Sequence, residues 1–280
     1  YNGTANLGEG GIFVYGTDSS VTLGVNGHLE SQYDNVIGIY LDGVYATAPY
    51  EALNTGSINL EGNNSAGIYL EGGARALNDS GGVISMGTGS AAIYGNFAGD
   101  IKNSGEIYIK DNSSGIYTEN SGFTENNKLI SGNGNKETGI YSVNSAGVLN
   151  SSSGEIRLTG DGNVGIYNIS STNTQNDNMI FLVSSGNSKT PGIGIYSDGS
   201  ISNTGNINVY DGSVGIYAFN GNLVHSGIIS SGDGGIGIYA DNETVSLNIS
   251  SDIKIGNNAV GVYGKNNTAI TANGSLNIGT

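Results

Sequence analysis

The chain has 280 residues, with 49 glycines, two prolines (Pro49 and Pro191), no cysteine and a formal net charge of −15. That charge disfavours nucleic acid and anionic membranes as partners, the missing cysteines exclude disulfides and thiolate metal sites, and no apolar run reaches the roughly 18 residues a membrane span requires. The glycines follow no three-residue period, which excludes collagen, while Ile, Val, Leu and Tyr recur in register, which a disordered linker has no reason to keep.

Read from the start of the chain, one landmark returns eleven times. It begins as Gly11-Ile12-Phe13 and continues as Gly38-Ile39-Tyr40, Gly67-Ile68-Tyr69, Ala92-Ile93-Tyr94, Gly115-Ile116-Tyr117 and Gly139-Ile140-Tyr141. It goes on through Gly165-Ile166-Tyr167, Gly194-Ile195-Tyr196, Gly215-Ile216-Tyr217 and Gly237-Ile238-Tyr239 to Gly261-Val262-Tyr263. Ten intervals from Phe13 to Tyr263 cover 250 residues, a mean of 25. Between copies lies a second landmark, apolar-x-Asn-Ser/Thr-Gly-x-Ile-x-apolar, seen at 53–60, 101–109, 201–209 and 223–229. Each repeat therefore offers three short apolar segments: one ending near the Asn, one after the following Gly, and one at Gly-Ile-Tyr.

The segments alternate with period two, as in Glu106-Ile107-Tyr108-Ile109 and Glu155-Ile156-Arg157-Leu158, which turns Ile and Leu inward and the polar residues outward. Asp34-Asn35, Asn63-Asn64, Asp111-Asn112, Asp161-Gly162-Asn163, Asp211-Gly212 and Asp233-Gly234 supply turn chemistry, since Asn and Gly accept positive φ. The longest excursions, Val44 to Glu51 and Ser171 to Asn178, are expected as outward loops. Helical solenoids lack support in this composition, and the leucine-rich-repeat signature and the calcium-binding nonapeptide are both missing. The expected fold is all-β: a parallel β-solenoid, a right-handed three-sided β-helix of about eleven coils of roughly 25 residues. Residues 1–280 form one segment with incomplete coils at both ends, about 50 Å long at a rung spacing near 4.8 Å.

With Ile inward, Gly and Tyr should face outward, forming a column of Tyr40, Tyr69, Tyr94, Tyr117, Tyr141, Tyr167, Tyr196, Tyr217, Tyr239 and Tyr263. Two residues past the tyrosine, Asp42, Glu71, Glu119, Asp198 and Asp241 share that parity. Such a face is either a self-supporting stack or a platform for sugars or a basic protein. No catalytic constellation, metal site or cofactor is expected. The acids are scattered, and His28 and His225 lie about eight coils apart and read as surface residues.

The Asn-Ser/Thr-Gly-x-Ile segment (Asn103-Ser104-Gly105-Glu106-Ile107, Asn203-Thr204-Gly205-Asn206-Ile207) followed by Gly-Ile-Tyr resembles the passenger stem of large Gram-negative autotransporter adhesins of the type V secretion family, in particular those of fusobacterial-type anaerobes. The resemblance implies export through an outer-membrane translocator barrel outside this segment, display on the cell surface, and attachment to glycans or proteins of host or bacterial surfaces. It also implies that the segment is part of a longer passenger, carrying neither signal peptide nor barrel. The absence of cysteine suits passage through a pore. A tailspike- or lyase-like glycan-cleaving β-helix and a self-assembling extracellular filament are the alternative expectations.

Overall fold

The computed structural model describes residues 3–43, 50–186, 190–248, 250–273 and 275–278, and it is a three-sided parallel β-solenoid with no helix among the described residues. The first sheet stacks twelve strands, from Thr4–Asn6 to Ser275–Ile278. The second stacks eleven, from Ile12–Thr17 to Val260–Lys265, and the third stacks eleven, from Val21–Leu23 to Ala269–Ala272. Each strand pairs in parallel with the strand three places later in the chain, so one coil contributes one strand to each sheet.

Register pairs like with like. In the second sheet Ile39 faces Ile68, Ile68 faces Ile93, and the column runs through Ile116, Ile140, Ile166, Ile195 and Ile216 to Ile238, all of them fully buried. A matching column in the first sheet includes Ile58, Ile84, Ile107, Ile130, Ile156, Ile180, Ile207, Ile229 and Ile253. Burying each such side chain contributes about 1.5–3 kcal/mol, and a slip of one residue would turn a whole column to water.

Register also corrects the sequence reading at the first coil. Tyr15, not Phe13, lies opposite Tyr40, and Val14 lies opposite Ile39. The strand's parity decides this: Val14 is the residue that meets the core, so the Gly-Ile-Phe resemblance at 11–13 is out of phase by two. From Tyr15 to Tyr263 the ten intervals cover 248 residues, a mean just under 25.

The glycine of Gly-Ile-Tyr does not face outward as expected. A Cβ at Gly165 would lie 2.5 Å from the carbonyl oxygen of Gly194 and 2.5 Å from Ile180 Cγ2, and Gly139, Gly194, Gly215 and Gly237 are equally confined. Both Gly and Ile are buried, so the strand bends inward there and only Tyr emerges. Glycine is used because the backbones of successive coils approach too closely for a side chain.

Turns behave as their chemistry demands. Asn35, Asn64, Gly89, Asn112, Gly162, Gly212 and Gly234 take positive φ between the first and second sheets. Asn120, Asn144, Asn220, Asn242 and Asn266 do so between the second and third, where Phe97 also has φ 51°. Asp34, Asp111, Asp211 and Asp233 accept the backbone N–H of Asn63, Asn135, Asp233 and Asn257, tying each turn to the next coil.

Two loop expectations need correction or limits. Residues 171–178 are not an excursion: Asn173–Asn176 is a third-sheet strand in register with Ser200–Asn203. Its polar sequence, Asn-Thr-Gln-Asn, hides a strand because the inward positions Thr174 and Asn176 are satisfied by buried hydrogen bonds rather than by apolar contact. Most of Val44 to Glu51 lies outside the described residues, and Glu51 itself opens the strand Glu51–Asn54.

The Asn of the second landmark is the main buried polar device. Asn54, Asn78, Asn103, Asn126, Asn150, Asn176 and Asn203 are fully buried at one corner, each Nδ2 donating to the Oδ1 of the next at 2.7–2.8 Å. His225 is the last member, its Nδ1 2.9 Å from Asn203 Nδ2. His225 is therefore fully buried, contrary to the surface position expected from sequence, because it occupies the inward Asn position of its coil. His28 is half-buried, with Nδ1 2.6 Å from Ser57 Oγ.

Candidate binding face: the tyrosine column

Eleven tyrosines form one column on the outer side of the second sheet, because every coil presents Tyr one residue past the buried Ile. All ten expected tyrosines belong to it, and Tyr15 extends it by one. Neighbouring ring centroids are 4.4–5.1 Å apart along the whole column. From Tyr69 to Tyr196 the rings are near parallel, with interplanar angles of 4–10°. The sheet's rung spacing imposes this stacking, each pair adding about 0.5–1.5 kcal/mol beyond area burial. Only the end members Tyr15 and Tyr263 are exposed, at 58% and 44%. The others are half-buried, their faces covered by one another and their edges directed to solvent.

The acidic residues divide by side-chain length. Glu71 accepts hydrogen bonds from both Tyr40 and Tyr69 (2.7 Å each), and Glu119 accepts one from Tyr117 (2.6 Å). Burial, then these hydrogen bonds to carboxylate, raise the pKa of Tyr40, Tyr69 and Tyr117, so the phenols stay protonated and the carboxylates act as acceptors. Tyr94, Tyr167 and Tyr217 are raised as well, chiefly by burial. Asp42 is raised by burial and by the neighbouring Glu71.

The shorter aspartates do not reach a tyrosine hydroxyl. Asp198 accepts the backbone N–H of Ser170 at 2.6 Å, and Asp241 pairs with Lys265 at 3.5 Å and with the amide of Asn266. The acids do not form a continuous edge either. Between them, at the same position, stand Asn96, Val143, Ile169 and Phe219, in register with Glu119, Ile169, Val143 and Asp241 respectively.

Two grooves accompany the column. One runs beside Tyr69, Tyr94 and Tyr117, about 460 Å³, and exists because its floor residues Ala66, Ala91 and Ser114 are small where later coils carry Thr138, Val164 and Ile193. The other, about 580 Å³, opens at Tyr196, Tyr217 and Phe219, with Asn220, Asp241, Asn242, Asn266 and Asn267 completing it. Phe219 was not singled out by sequence reading. The signal was present as a ring two residues past Tyr217, where neighbouring coils carry aspartate.

Elsewhere, two buried carboxyls replace Ser at solenoid corners. Glu137 is fully buried, and its Oε1 accepts the N–H of Gly134 at 2.7 Å; burial pushes its pKa up to about 8. Glu243 accepts the N–H of Gly221 at 2.7 Å, and burial raises it to about 7. Glu137 is thus mostly protonated at neutral pH and Glu243 about half so, and each closes a turn by accepting a backbone N–H. No family model, curated protein or solved structure matches this chain.

Proposed function

We propose that this chain is a structural and adhesive stem displayed outside the cell, acting through length, stiffness and a repeated outward surface rather than through catalysis. The observation that carries the reading is the like-on-like stacking of the three sheets. Interior coils repeat the same buried Ile and half-exposed Tyr, with a buried Asn in seven of them, so the surface a partner meets is a periodic column about 50 Å long. A periodic column suits attachment through many weak equivalent contacts, in which avidity exceeds any single affinity. The resemblance to autotransporter passenger stems supports the same reading and adds surface display with secretion through an outer-membrane barrel. Its partners are then glycans or proteins of bacterial or host surfaces.

The test is attachment of beads carrying the purified chain to intact bacterial and epithelial cells, compared with a variant in which Tyr117, Tyr141 and Tyr167 are changed to Ser. The expected result is attachment by the parent and its loss in a variant that keeps its β-sheet circular dichroism. Parent beads that fail to attach would overturn the adhesive part of the proposal.

A further inference from the structure

The column of rings departs from parallel stacking between Tyr40 and Tyr69, inclined by 64°, and again between Tyr196 and Tyr217, where the departure accompanies a cleft. Preceding pairs from Tyr94 to Tyr196 lie within 8° of parallel, but Tyr196 and Tyr217 are inclined by 31°. Phe219 takes up the opened space. Its centroid lies 5.4 Å from that of Tyr196 and 6.0 Å from that of Tyr217, the latter edge-on at 81°. Three rings in different orientations thus present ring surface to solvent, which the parallel part of the column does not.

The opposite wall is polar for a backbone reason. Only Asn220-Gly221 separates the strand Val214–Phe219 from Asn222–His225, and only Asn242-Glu243 separates Ile236–Asp241 from Thr244–Leu247. Both corners are only two residues long, so the turn residues stand directly beside the strand ends. Asn220, Asn242 and Asn266 all have positive φ (62°, 53° and 53°) and line the cleft with Asp241 and Asn267. Asn242 Nδ2 donates to Asn220 Oδ1 at 3.0 Å, and Asn266 donates to Asp241. Among the described residues, Asn220 Nδ2 and Asn242 Oδ1 have no protein partner, so a donor and an acceptor stand side by side at the rim.

We propose that this cleft is a binding site for a neutral pyranoside, the sugar's C–H face resting on Phe219 and its hydroxyls bonding Asn220, Asn242 and Asp241. The site rests on the adhesive reading and gives it a ligand class. A volume of about 580 Å³ falls within the roughly 300–1,000 Å³ of small-molecule sites and accommodates one or two sugar rings. A cationic ligand over the rings is disfavoured, because Asp241 is already paired with Lys265, whose ammonium would repel a second cation. An acidic sugar is disfavoured by Asp241 and by the net charge of −15. A neutral polyol is the class that uses an aromatic wall and paired amides without a charge penalty.

The experiment is binding of the folded chain to an array of neutral, sialylated and phosphocholine-bearing glycans, with affinities of hits measured by calorimetry. It uses the parent, Phe219→Asp, Phe219→Tyr and Asn242→Ala. Phe219→Asp restores the residue type of the adjacent coils, so the fold is retained while the ring is lost. The proposal expects selective binding of neutral glycans, a loss of at least tenfold in Phe219→Asp and Asn242→Ala, and retention in Phe219→Tyr. It is overturned if no neutral glycan binds, if sialylated or phosphocholine ligands are preferred, or if Phe219→Asp binds as the parent does. Cell attachment by the same Phe219→Asp protein separates the two claims, since a lost glycan site with preserved attachment leaves the stem proposal standing.

Discussion

His225 Nδ1 lies 2.9 Å from Asn203 Nδ2, at the top of a buried ladder of seven asparagine amides. The ring accepts through Nδ1, so its proton sits on Nε2, which has no hydrogen-bond partner. Burial lowers the His225 pKa to about 4 from an ordinary 6.5. The neutral ring is the folded form, so its stabilisation is complete above pH 6.5 and is lost as pH falls from there toward 4.

His225→Asn should extend the ladder, because the new amide can donate to the carbonyl two residues on, as Asn126, Asn176 and Asn203 already do. We expect its melting temperature to exceed the parent's by a few degrees at pH 7 and by a widening margin down to pH 4. Thermal melts at half-unit pH steps decide the matter, and a constant margin would sink the titration argument.

Glu137 and Glu243 work in the opposite direction. Their folded pKa values, about 8 and about 7, lie above the ordinary 4.5, so stability is complete below pH 4.5 and is lost as pH rises toward 8. Glu137→Gln keeps the acceptor for Gly134 N–H and removes the charge. Its advantage over the parent should grow from near zero below pH 4.5 to several degrees at pH 8.5 in the same melts.

Tyr141 separates stacking from hydroxyl chemistry. Its ring lies between Tyr117 at 4.5 Å and Tyr167 at 4.8 Å. Tyr141→Phe should cost under about 0.5 kcal/mol, whereas Tyr141→Ala, losing two stacked neighbours, should cost about 2–3 kcal/mol in urea unfolding. Equal costs would mean that the ring stack is not what stabilises this face.

Phe97 has φ 51° and is 62% exposed, a left-handed conformation that a bulky residue adopts at a cost. The equivalent turn position holds Asn120 and Asn144 in the next two coils. Phe97→Asn should raise stability by about 0.5–1 kcal/mol, read as an upward shift of the urea midpoint at unchanged slope.

The sequence by itself determined the solenoid, its three strands per coil and the tyrosine column. Each is a period-two pattern repeated at a fixed interval, and parallel stacking must superpose equal positions. It determined the Asn and Gly turns as well, since positive φ selects those residues locally. Tertiary structure decided the rest. Whether the glycine of Gly-Ile-Tyr faces in or out depends on how closely two coils approach, a distance that no single coil contains. The buried place of His225 and the strand at Asn173–Asn176 depend on hydrogen bonds between residues 22 to 27 positions apart, which make polar side chains fit for an interior. The cleft at Phe219 exists only because the rings of successive coils meet there at an angle.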